Sequence, residues 1–578
     1  MRHIVNPRQT GLFDPFRDIL SSVAYRRIQR GWQGVFRHVI LELMPVDALA
    51  GEFSPDMGAP TKELYSMAGL LLIKEFKDWT TTHAAEAYMF DASVQYALNL
   101  EPAGQSMCER TIERYETIFI ENDLAAATMA RVTTTLVKAL DLDVSRQRLD
   151  STHIFGDMAV FGRTRMMGVT IKRFLIQLRR HNCADYNLLP DALRSRYAPS
   201  PGRLFGDVAK NTDSRRKLRQ DVAEEMRFLI EQFADDETVN GRATYQTLVK
   251  VFGEQCEVVA DKVSVKAHPG NDITQNPSDP DATRDGHKGP GYQAQLAETC
   301  SEENEAPLAT AVIPQTAAND DRDATPEVLD QLEASDLLPD TLYADTHYGS
   351  DASHQQCAER GVDLQSPVAG KHRGEAIHTL NVDDFVIDEA TETVEQCPAG
   401  HEPLRSERDP DNVQTRTEMP GEACGNCAHF DECPVRRVRD RYILDHTVKE
   451  RRLANRRREQ ATDAFKENYQ IRAGIESTNG GRKRRLGLGR VRCRGRPRVF
   501  HKIAMKVCGW NVLRAAATET LRRRVAEIMK KLSHGSRLTP FSTFSDLLGR
   551  LKRRLSAQTA LQPKNSRLAL KTRLRLAA

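Results

Sequence analysis

The order of predicted elements in the middle of the chain constrains its fold more than any other feature. Residues 144–152 alternate like a β-strand, and a later pair of segments, 291–299 and 309–313, has the pattern of a β-hairpin. The segments that follow alternate between helix and strand: 326–334, 341–345, 350–360 and 362–366. Strands and helices in this order predict an α/β domain built around one mixed sheet.

Helical periodicity dominates the regions on either side of the first predicted strand. From residue 21 to about 140, apolar residues recur at three- and four-residue steps, which predicts an all-α N-terminal domain of about five helices behind a lead-in over 1–20. Residues 156–265 return to helical spacing and predict a helical insert. With 578 residues and ~150 residues per domain, the chain has room for three or four such units.

Several protein classes are excluded by simple counts. The longest apolar run, 67–73, is far shorter than the roughly 18 residues that a membrane-spanning helix needs. The N-terminus has no apolar segment typical of a secretion signal. Eleven cysteines spread over the whole chain do not form the framework of a disulfide-rich secreted domain. These features predict a cytoplasmic protein without a membrane partner.

The small net charge of the chain hides a strong asymmetry. Residues 436–578 contain 39 Lys and Arg against 10 Asp and Glu, a net charge of +29, whereas residues 1–435 have a net charge of −26. A basic region of this size attracts polyanions, and nucleic acid is the first candidate. A solvated tail or an anionic membrane surface remains as an alternative.

Two aspartates stand at the ends of predicted strands. Asp150 ends the strand that begins near Val144, and Asp345 ends the short strand over 341–345. Open α/β sheets place their sites at the carboxyl ends of strands, so these acids are predicted to converge. Carboxylates that converge repel one another, and a hard divalent cation, Mg²⁺ or Mn²⁺, relieves that repulsion. A pair of such ions is a known means of cleaving phosphodiesters.

A third acid lies in a regularly spaced set of polar residues. Tyr469, Arg472, Glu476 and Lys483 are separated by steps of 3, 4 and 7, which on one continuous helix would place all four side chains on one face. An acid flanked by cations suits a metal-assisted phosphate site. The alternative is a surface helix with an Arg472–Glu476 ion pair, and the glycines at 480–481 are expected to end that helix before Lys483.

These residues resemble a known family. The Y-(2)-R-(3)-E-(6)-K spacing that begins at Tyr469 is similar to the signature of one group of prokaryotic insertion-sequence transposases of the DDE type. The segments LDST around Asp150 and YADTHY around Asp345 resemble the strands that carry the first and second aspartates of that group. The segment GYQAQ at 291–295 resembles a strand of the same core, and NVLR at 511–514 resembles its closing helix. The resemblance covers about 20–520.

The resemblance implies a fold, a reaction and a set of partners. It implies an RNase H-like catalytic core with a mixed sheet, in which Asp150, Asp345 and Glu476 bind two Mg²⁺ ions. One ion would activate water and later the 3′-hydroxyl, and the other would stabilise the leaving 3′-oxygen. Arg472, Lys483 and Tyr469 would contact terminal DNA. The partners would be the double-stranded DNA of the element's inverted-repeat ends and of the target, bound by a homodimer in a nucleoid-associated complex. The N-terminal helical domain resembles the transposase domain that precedes this core.

Four of the eleven cysteines are clustered between the second aspartate and the glutamate. Cys424 and Cys427 form a CxxC corner, and Cys397 and Cys433 would complete a tetrahedral Zn²⁺ site. His401 or His429 could replace one cysteine. The segment has few apolar residues, so that a structural zinc would help it fold. A redox CxxC and unpaired cysteines are the alternatives. Similar clusters occur at this place in relatives of this type.

A dense basic segment directly follows the predicted glutamate. Residues 482–500 hold nine Lys and Arg and no acid, and glycines within it allow close approach to a phosphate chain. Besides Tyr469, Arg472 and Lys483, the residues predicted to bind DNA here are Arg484, Arg485, Arg490 and Arg492. A solvated run is the alternative.

The predicted organisation is therefore an α/β RNase H-like core, an all-α N-terminal domain and a small cysteine-rich insertion. The boundaries are 1–20 for the lead-in, 21–140 for the helical domain, 141–370 with 441–520 for the core, 371–440 for the insertion and 521–578 for a basic tail. The predicted activity is DNA strand cleavage and transfer at insertion-sequence ends. The alternatives are an RNase H-like nuclease that cuts without joining and a zinc-containing DNA-binding repressor.

Overall fold

The computed structural model describes most of the chain between its N-terminus and residue 533. The described ranges are 1–8, 14–102, 104–156, 158–159, 161–201, 203–205, 212–270, 272–368, 380–388, 390–409 and 413–533. Most of the predicted basic tail, 534–578, lies outside them. The chain divides into two compact units, of which unit 1 contains Met1–Leu70, Ala85–Cys108 and the residues from Ala516 onward, and unit 2 contains Leu71–Ala84 and Glu109–Ala515.

The N-terminal region is helical, as predicted, but its helices are shorter and more numerous. They are α1 (Phe16–Ile19), α2 (Ser22–Arg30), α3 (Trp32–Val35), α4 (Val46–Gly51), α5 (Leu64–Phe76), α6 (Thr81–Phe90), α7 (Ala92–Ala97), α8 (Glu109–Glu121) and α9 (Leu124–Leu140). A π-helical turn over 36–40 and a 3₁₀ turn over 41–43 follow α3. Local breakers divide the region: the Asp91 side chain caps α7, and Asp123 has left-handed backbone before α9. In unit 1, Phe36, Leu49 and Leu70 are fully buried.

Unit 2 begins its sheet with β1 (Arg146–Phe155), a strand that the alternation over 144–152 predicts. The prediction that Asp150 ends this strand is wrong, because β1 pairs with β5 as far as Phe155 and leaves Asp150 in the middle of the strand. A helical insert follows, as predicted, and it ends in a two-stranded hairpin that the sequence pattern did not reveal. Its elements are α10 (Arg163–His181), α11 (Cys183–Leu188), α12 (Asp191–Arg196), α13 (Thr212–Gln232), α14 (Glu237–Asn240), α15 (Ala243–Gln255), β2 (Cys256–Val259) and β3 (Lys262–Val265). Met167, Phe174, Met226, Leu229 and Leu248 form part of its own apolar core.

The central sheet of unit 2 is mixed. Its further strands are β4 (Thr283–Asp285), β5 (Gly289–Thr299), β6 (Ala309–Thr316), β7 (Thr341–Tyr343) and β8 (Asp363–Gln365). Helix α16 (Thr325–Ala334) precedes β7, and helix α17 (Asp351–Glu359) lies between β7 and β8 in the chain. The strand order is β4-β5-β1-β7-β8, and β6 also pairs with β5. β1 is antiparallel to β5 and parallel to β7, and β7 is parallel to β8. The antiparallel pairing of β5 with β6, with Leu296 opposite Val312, confirms the predicted hairpin.

The cysteine-containing region has small sheets of its own. It contains β9 (Val386–Ile387), β10 (Val394–Gln396), β11 (Arg405–Asp409), β12 (Gln414–Met419), α18 (Gly421–Gly425), β13 (Arg436–Val438) and β14 (Arg441–Thr447). Four of these strands form a sheet in the order β11-β12-β14-β13. The last strand, β14, includes Asp445 and ends at Thr447. Thr447 then caps the next helix in a reciprocal capping box with Glu450.

Five helices complete the described chain: α19 (Val448–Ala461), α20 (Asp463–Tyr469), α21 (Gly474–Leu486), α22 (Arg496–Ala517) and α23 (Glu519–Ser533). The start of the predicted basic tail is therefore helical up to Ser533. None of the helices within the described ranges is long and apolar enough to span a bilayer.

Candidate active site

The first predicted acid, Asp150, lies on the central strand β1 and is largely buried. Its side chain is 13% exposed, its Oδ1 lies 3.0 Å from Nη2 of Arg472, and its Oδ2 accepts a hydrogen bond of 3.1 Å from the Asn479 amide. Burial raises the pKa of Asp150 to about 6; the Arg472 guanidinium opposes this rise, and the Asp345 carboxylate adds to it.

The second acid, Asp345, lies beside the first because of strand register. β7 runs parallel to β1 with Tyr343 opposite Arg148, so that the residues two positions further along are Asp345 and Asp150. The Asp345 carboxylate also accepts a hydrogen bond of 2.9 Å from the His347 amide, which caps a 3₁₀ turn over 346–348. This turn fixes the acid directly after the strand.

The third acid, Glu476, comes from helix α21 and is joined to the other two by Arg472. Arg472 Nη1 lies 3.1 Å from Glu476 Oε1, and Arg472 Nη2 lies 3.6 Å from Asp345 Oδ2 in addition to its contact with Asp150. The Glu476 side chain is 67% exposed, whereas that of Arg472 is 17% exposed. One guanidinium thus contacts all three predicted acids.

The prediction of one continuous helix from Tyr469 to Lys483 is wrong. Helix α20 ends at Tyr469, a 3₁₀ turn covers 470–473, and α21 begins at Gly474. Arg148 Nη1 donates to the Ile471 carbonyl at 2.9 Å, and it would lie 2.0 Å from a Cβ at Gly474. Glycine at the start of α21 therefore leaves room for the Arg148 guanidinium, which a side chain there would displace.

The expectation that glycines 480 and 481 end the helix is also wrong. Helix α21 runs through them to Leu486, and it ends at Gly487 with a left-handed backbone at φ +63°. Lys483 therefore lies on the same helix as Glu476. Partial burial is the larger cause of the lowered pKa of Lys483, and the nearby Lys288 ammonium lowers this pKa further.

Tyr469, which was predicted to bind DNA, contacts two residues of the protein. Its hydroxyl donates to the carbonyl of Ala344 at 2.9 Å, and its ring stacks on Phe465 with centroids 5.5 Å apart. Because Ala344 directly precedes Asp345, this contact ties the end of α20 to the strand end that carries the second acid.

A buried cluster of ion pairs, which was not predicted from the sequence, is linked to Asp150 by hydrogen bonds. Glu298 on β5 is fully buried and accepts from Arg148 at 2.7 Å and from Arg482 at 2.6 Å. Arg482 also donates to the Asn479 side chain at 2.7 Å, and Asn479 donates to Asp150. A line of hydrogen bonds therefore links Glu298 to Asp150. These partners are far apart in sequence, so local spacing gave no signal for them.

A fourth carboxylate, Asp321, was also missed. Its Oδ2 accepts from the Ser151 hydroxyl at 2.9 Å, and its Oδ1 accepts from Gln295 at 2.8 Å. The buried Tyr348 hydroxyl donates to Gln295 in turn. Burial raises the pKa of Tyr348 well above its ordinary value, so the hydroxyl remains a donor. The only available signal was the GYQAQ segment, which contains Gln295.

The acids form an oxygen-only donor set that fits a hard divalent cation. Asp150, Asp345 and Glu476 carry more negative charge than the single Arg472 neutralises, and carboxylate oxygens are the ligands that Mg²⁺ and Mn²⁺ prefer. Within the described ranges, however, no three His, Cys, Asp or Glu side chains are already arranged as ligands of one ion.

The predicted DNA-binding arginines lie on the surface beside this site. Arg484, Arg485, Arg490 and Arg492 are all exposed. The segment that follows α21 is attached to the end of β1, because the Phe155 amide donates to the Gly489 carbonyl at 3.0 Å and the Val491 amide donates to the Phe155 carbonyl at 3.2 Å. Arg492 also forms an ion pair of 2.8 Å with Asp78.

The four predicted zinc ligands lie around one small cavity in the cysteine-containing region. Cys397, Cys424, Cys427 and Cys433 line it together with His401 and His429. All four cysteines are free thiols of intermediate exposure. Burial raises the pKa of Cys424 to about 11, and the other three thiols add to this rise. Here too, no three His, Cys, Asp or Glu side chains of the described residues are already arranged as ligands of one ion.

Comparison with known proteins gives one match. Residues 253–512 match the family model described as "Transposase DDE domain". The match includes Asp345 and Glu476 and begins after Asp150. No curated protein and no solved structure gives a significant match. The resemblance that the sequence motifs carry is thereby confirmed for residues 253–512, which match a transposase DDE domain.

Proposed function

We propose that this chain, a DDE transposase of the insertion-sequence type, cleaves DNA at the ends of its element with Asp150, Asp345 and Glu476 and joins those ends to target DNA. The observation that carries the proposal is the convergence of the three acids on Arg472, with nitrogen–oxygen distances of 3.0, 3.6 and 3.1 Å. The acids come from a strand, a strand end and a helix that are far apart in sequence, which is expected of a built site rather than of local ion pairs.

The strand order supports an RNase H-like core. Three antiparallel strands, β6, β5 and β1, are followed by two strands, β7 and β8, parallel to β1. The first acid lies on the central strand and the second just after its parallel neighbour β7, as the resemblance to this transposase group implies. The third acid approaches from α21, the element after the cysteine-containing region.

The proposed requirement for Mg²⁺ or Mn²⁺ follows from the carboxylate oxygens of the three acids. Two Mg²⁺ ions, or Mn²⁺, held by Asp150, Asp345 and Glu476 would activate the attacking oxygen and stabilise the leaving 3′-oxygen. Asn479 and Arg472 keep the Asp150 carboxylate in one orientation through hydrogen bonds of 3.1 and 3.0 Å. Arg472 lowers the repulsion among the acids, and Lys483 offers a cation on the Glu476 helix. The exposed arginines after α21 would hold the DNA backbone.

The cysteine cavity supports a structural Zn²⁺ site as a secondary proposal. Four thiols around one small cavity, with two imidazoles beside them, provide the soft donors that zinc prefers. In that role the ion would hold the end of β10, helix α18 and the start of β13 together, where the apolar core is small. Cys397, Cys424, Cys427 and Cys433 are the proposed ligands.

A strand-transfer assay tests the main proposal and separates it from its alternatives. Purified chain is incubated with Mg²⁺, a supercoiled target and duplex DNA that carries the ends of the element. Cleavage followed by joining supports transposition, and cleavage without joining would leave the nuclease as the better description. Binding of the ends with neither reaction would favour the repressor.

A further inference from the structure

Unit 1 contains a cavity that the proposed transposition chemistry does not use. Its volume is about 600 Å³, which lies within the range of roughly 300–1,000 Å³ that is usual for small-molecule sites. The cavity is lined mainly by the N-terminal segment, by the turn after α3 and by the chain before α5 and after α7. The three acids of the candidate active site belong to unit 2, so this cavity is a second, separate candidate site.

Part of the cavity wall is apolar. Phe16, Leu41 and Leu98 line the cavity, and each of these residues is 1% exposed. Apolar walls of this kind bury the hydrocarbon part of a ligand and remove it from water. The wall therefore favours an organic molecule over a hydrated inorganic ion.

Arg37 brings a buried positive charge to the cavity. It lies in the π-helical turn over 36–40, a kind of turn that is frequent at functional sites, and it is 9% exposed. Its Nη1 donates to the Tyr96 carbonyl at 3.2 Å, and its guanidinium carbon lies 4.5 Å from the centroid of the Tyr96 ring. No carboxylate within the described ranges forms an ion pair with it. Because buried cations are normally paired, the other N–H groups of this guanidinium suit an anionic ligand.

The acids that line the same cavity are engaged in hydrogen bonds of their own. Asp14 accepts from a backbone amide at 3.0 Å on one oxygen and from the Tyr25 hydroxyl at 2.7 Å on the other. Glu63 accepts from the Ser66 amide at 2.7 Å at the start of α5. A third lining acid, Glu101, is exposed to solvent. The negative charges of Asp14 and Glu63 therefore serve these local donors rather than Arg37.

We propose that the cavity of unit 1 binds a small organic anion. The carboxylate or phosphate group of this ligand pairs with Arg37, and its apolar body packs against Leu41 and Leu98. A planar guanidinium suits both head groups, because it can donate two parallel N–H bonds to their oxygens. Lys62 also lines the cavity and adds a second positive charge. The inference is independent of the proposed function, since all these residues belong to unit 1.

A small molecule fits this site better than DNA does. A duplex is far wider than a cavity of about 600 Å³, so its phosphates would remain outside. Arg37, at 9% exposure, would not reach them there. Contact between Arg37 and DNA is therefore the alternative that an experiment has to exclude.

Ligand-observed NMR on the full chain tests the preference for an anion. Four probes share one benzene ring and differ in the attached group: benzoate and phenyl phosphate are anions, benzyl alcohol is neutral and benzylamine is a cation. At least one anion is expected to give a saturation-transfer signal, with a Kd on the order of 1–10 mM for molecules of this size. The tighter anion identifies the head group as carboxylate or phosphate. The neutral and cationic probes should bind about 10-fold more weakly or not at all.

Variants of Arg37 assign the anion to the cavity. Arg37→Met should weaken anion binding by about 10- to 150-fold, because it removes the charge-assisted hydrogen bonds. Arg37→Lys keeps the charge and should bind the anion more tightly than Arg37→Met does. Arg26→Met removes an exposed arginine from α2 and should bind the anion as the wild-type chain does. Circular dichroism checks that each variant is folded, and the four-probe comparison on the wild-type chain decides the question if Arg37→Met is not.

Three outcomes would overturn the inference. Equal binding of all four probes would mean that the cavity accepts apolar rings without recognising charge. Unchanged anion binding by folded Arg37→Met would place the anion at another surface. No signal from either anion, with or without a loss of DNA binding in Arg37→Met, would mean that Arg37 serves folding or DNA contact instead. None of these outcomes affects the proposed function, which depends on cleavage by the acids of unit 2.

Discussion

Replacing Asp150 with asparagine should stabilise unit 2 at neutral pH while it destroys activity. The Asp150 carboxyl has a pKa of about 6 in the folded chain, against an ordinary value of 3.8, mainly because burial disfavours its charged form. Between these two pH values the folded chain keeps a proton that the unfolded chain releases. The free energy of unfolding therefore falls as pH rises from about 4 to about 6.

The size of this effect follows from the two pKa values. At 1.36 kcal/mol per pH unit, the difference between 3.8 and about 6 corresponds to about 3 kcal/mol lost above pH 6. Asparagine has no charge to bury and keeps the shape of the side chain. Arg472 retains Glu476 and Asp345 as partners after the change. Asp150→Asn should therefore be up to about 3 kcal/mol more stable than the wild-type chain near pH 8, and about equally stable near pH 4.

Urea denaturation without divalent cations measures the difference. Trp79 and Trp510 lie in unit 2 and Trp32 in unit 1, so a Trp32→Phe background lets tryptophan fluorescence follow unit 2. Glu395→Gln, which neutralises an exposed strand carboxylate, serves as the control and should show no pH-dependent gain. A variant that is less stable than the wild type near pH 8, or whose advantage does not depend on pH, would refute the burial argument.

Three further perturbations test other parts of the structure. Glu298→Gln removes the negative charge that two buried arginines share and should cost about 3–5 kcal/mol by urea denaturation. The matched change Glu407→Gln in an exposed pair should have no measurable effect. The purified, reduced chain should contain about one zinc ion, and the double change Cys424→Ser with Cys427→Ser should remove it in metal analysis; wild-type chain without zinc would contradict the ligand assignment. Alanine at four exposed arginines should flatten the slope of log K against log salt for duplex binding by roughly 3–4. The four arginines are Arg484, Arg485, Arg490 and Arg492. An unchanged slope would mean that the DNA binds at another surface of the chain.

Features that depend on one stretch of chain could be predicted from the sequence. The alternation before Asp150 and the short apolar segment before Asp345 each predicted a strand, although only Asp345 follows a strand end, because β1 continues past Asp150 to Phe155. The register of their parallel pairing, with Arg148 opposite Tyr343, brings the acids together, and only the structure gives this register. The spacing after Tyr469 singled out Arg472 and Glu476, which do lie together, but the predicted helix does not bring them there, because the chain turns at 470–473.

Features that depend on distant partners could not be predicted. Glu298 and Arg482 are 184 residues apart, and each has the appearance of an ordinary surface charge in the sequence, yet both are fully buried. Asp321 lies in a 3₁₀ turn and is held by Ser151 on β1 and Gln295 on β5. A buried charge requires its partner to be recognised at the same time, and no local pattern contains both.

The most direct test of the central claim is the rate of DNA-end cleavage by three single variants, Asp150→Asn, Asp345→Asn and Glu476→Gln, measured in Mg²⁺ together with end binding. If the three acids hold the catalytic metal, each variant should lose cleavage entirely and bind end DNA within a few-fold of the wild-type chain, because each change removes a metal-binding charge and little DNA contact. Glu395→Gln should cleave normally. Cleavage at a near wild-type rate by any of the three variants would contradict the assignment of that residue to the active site.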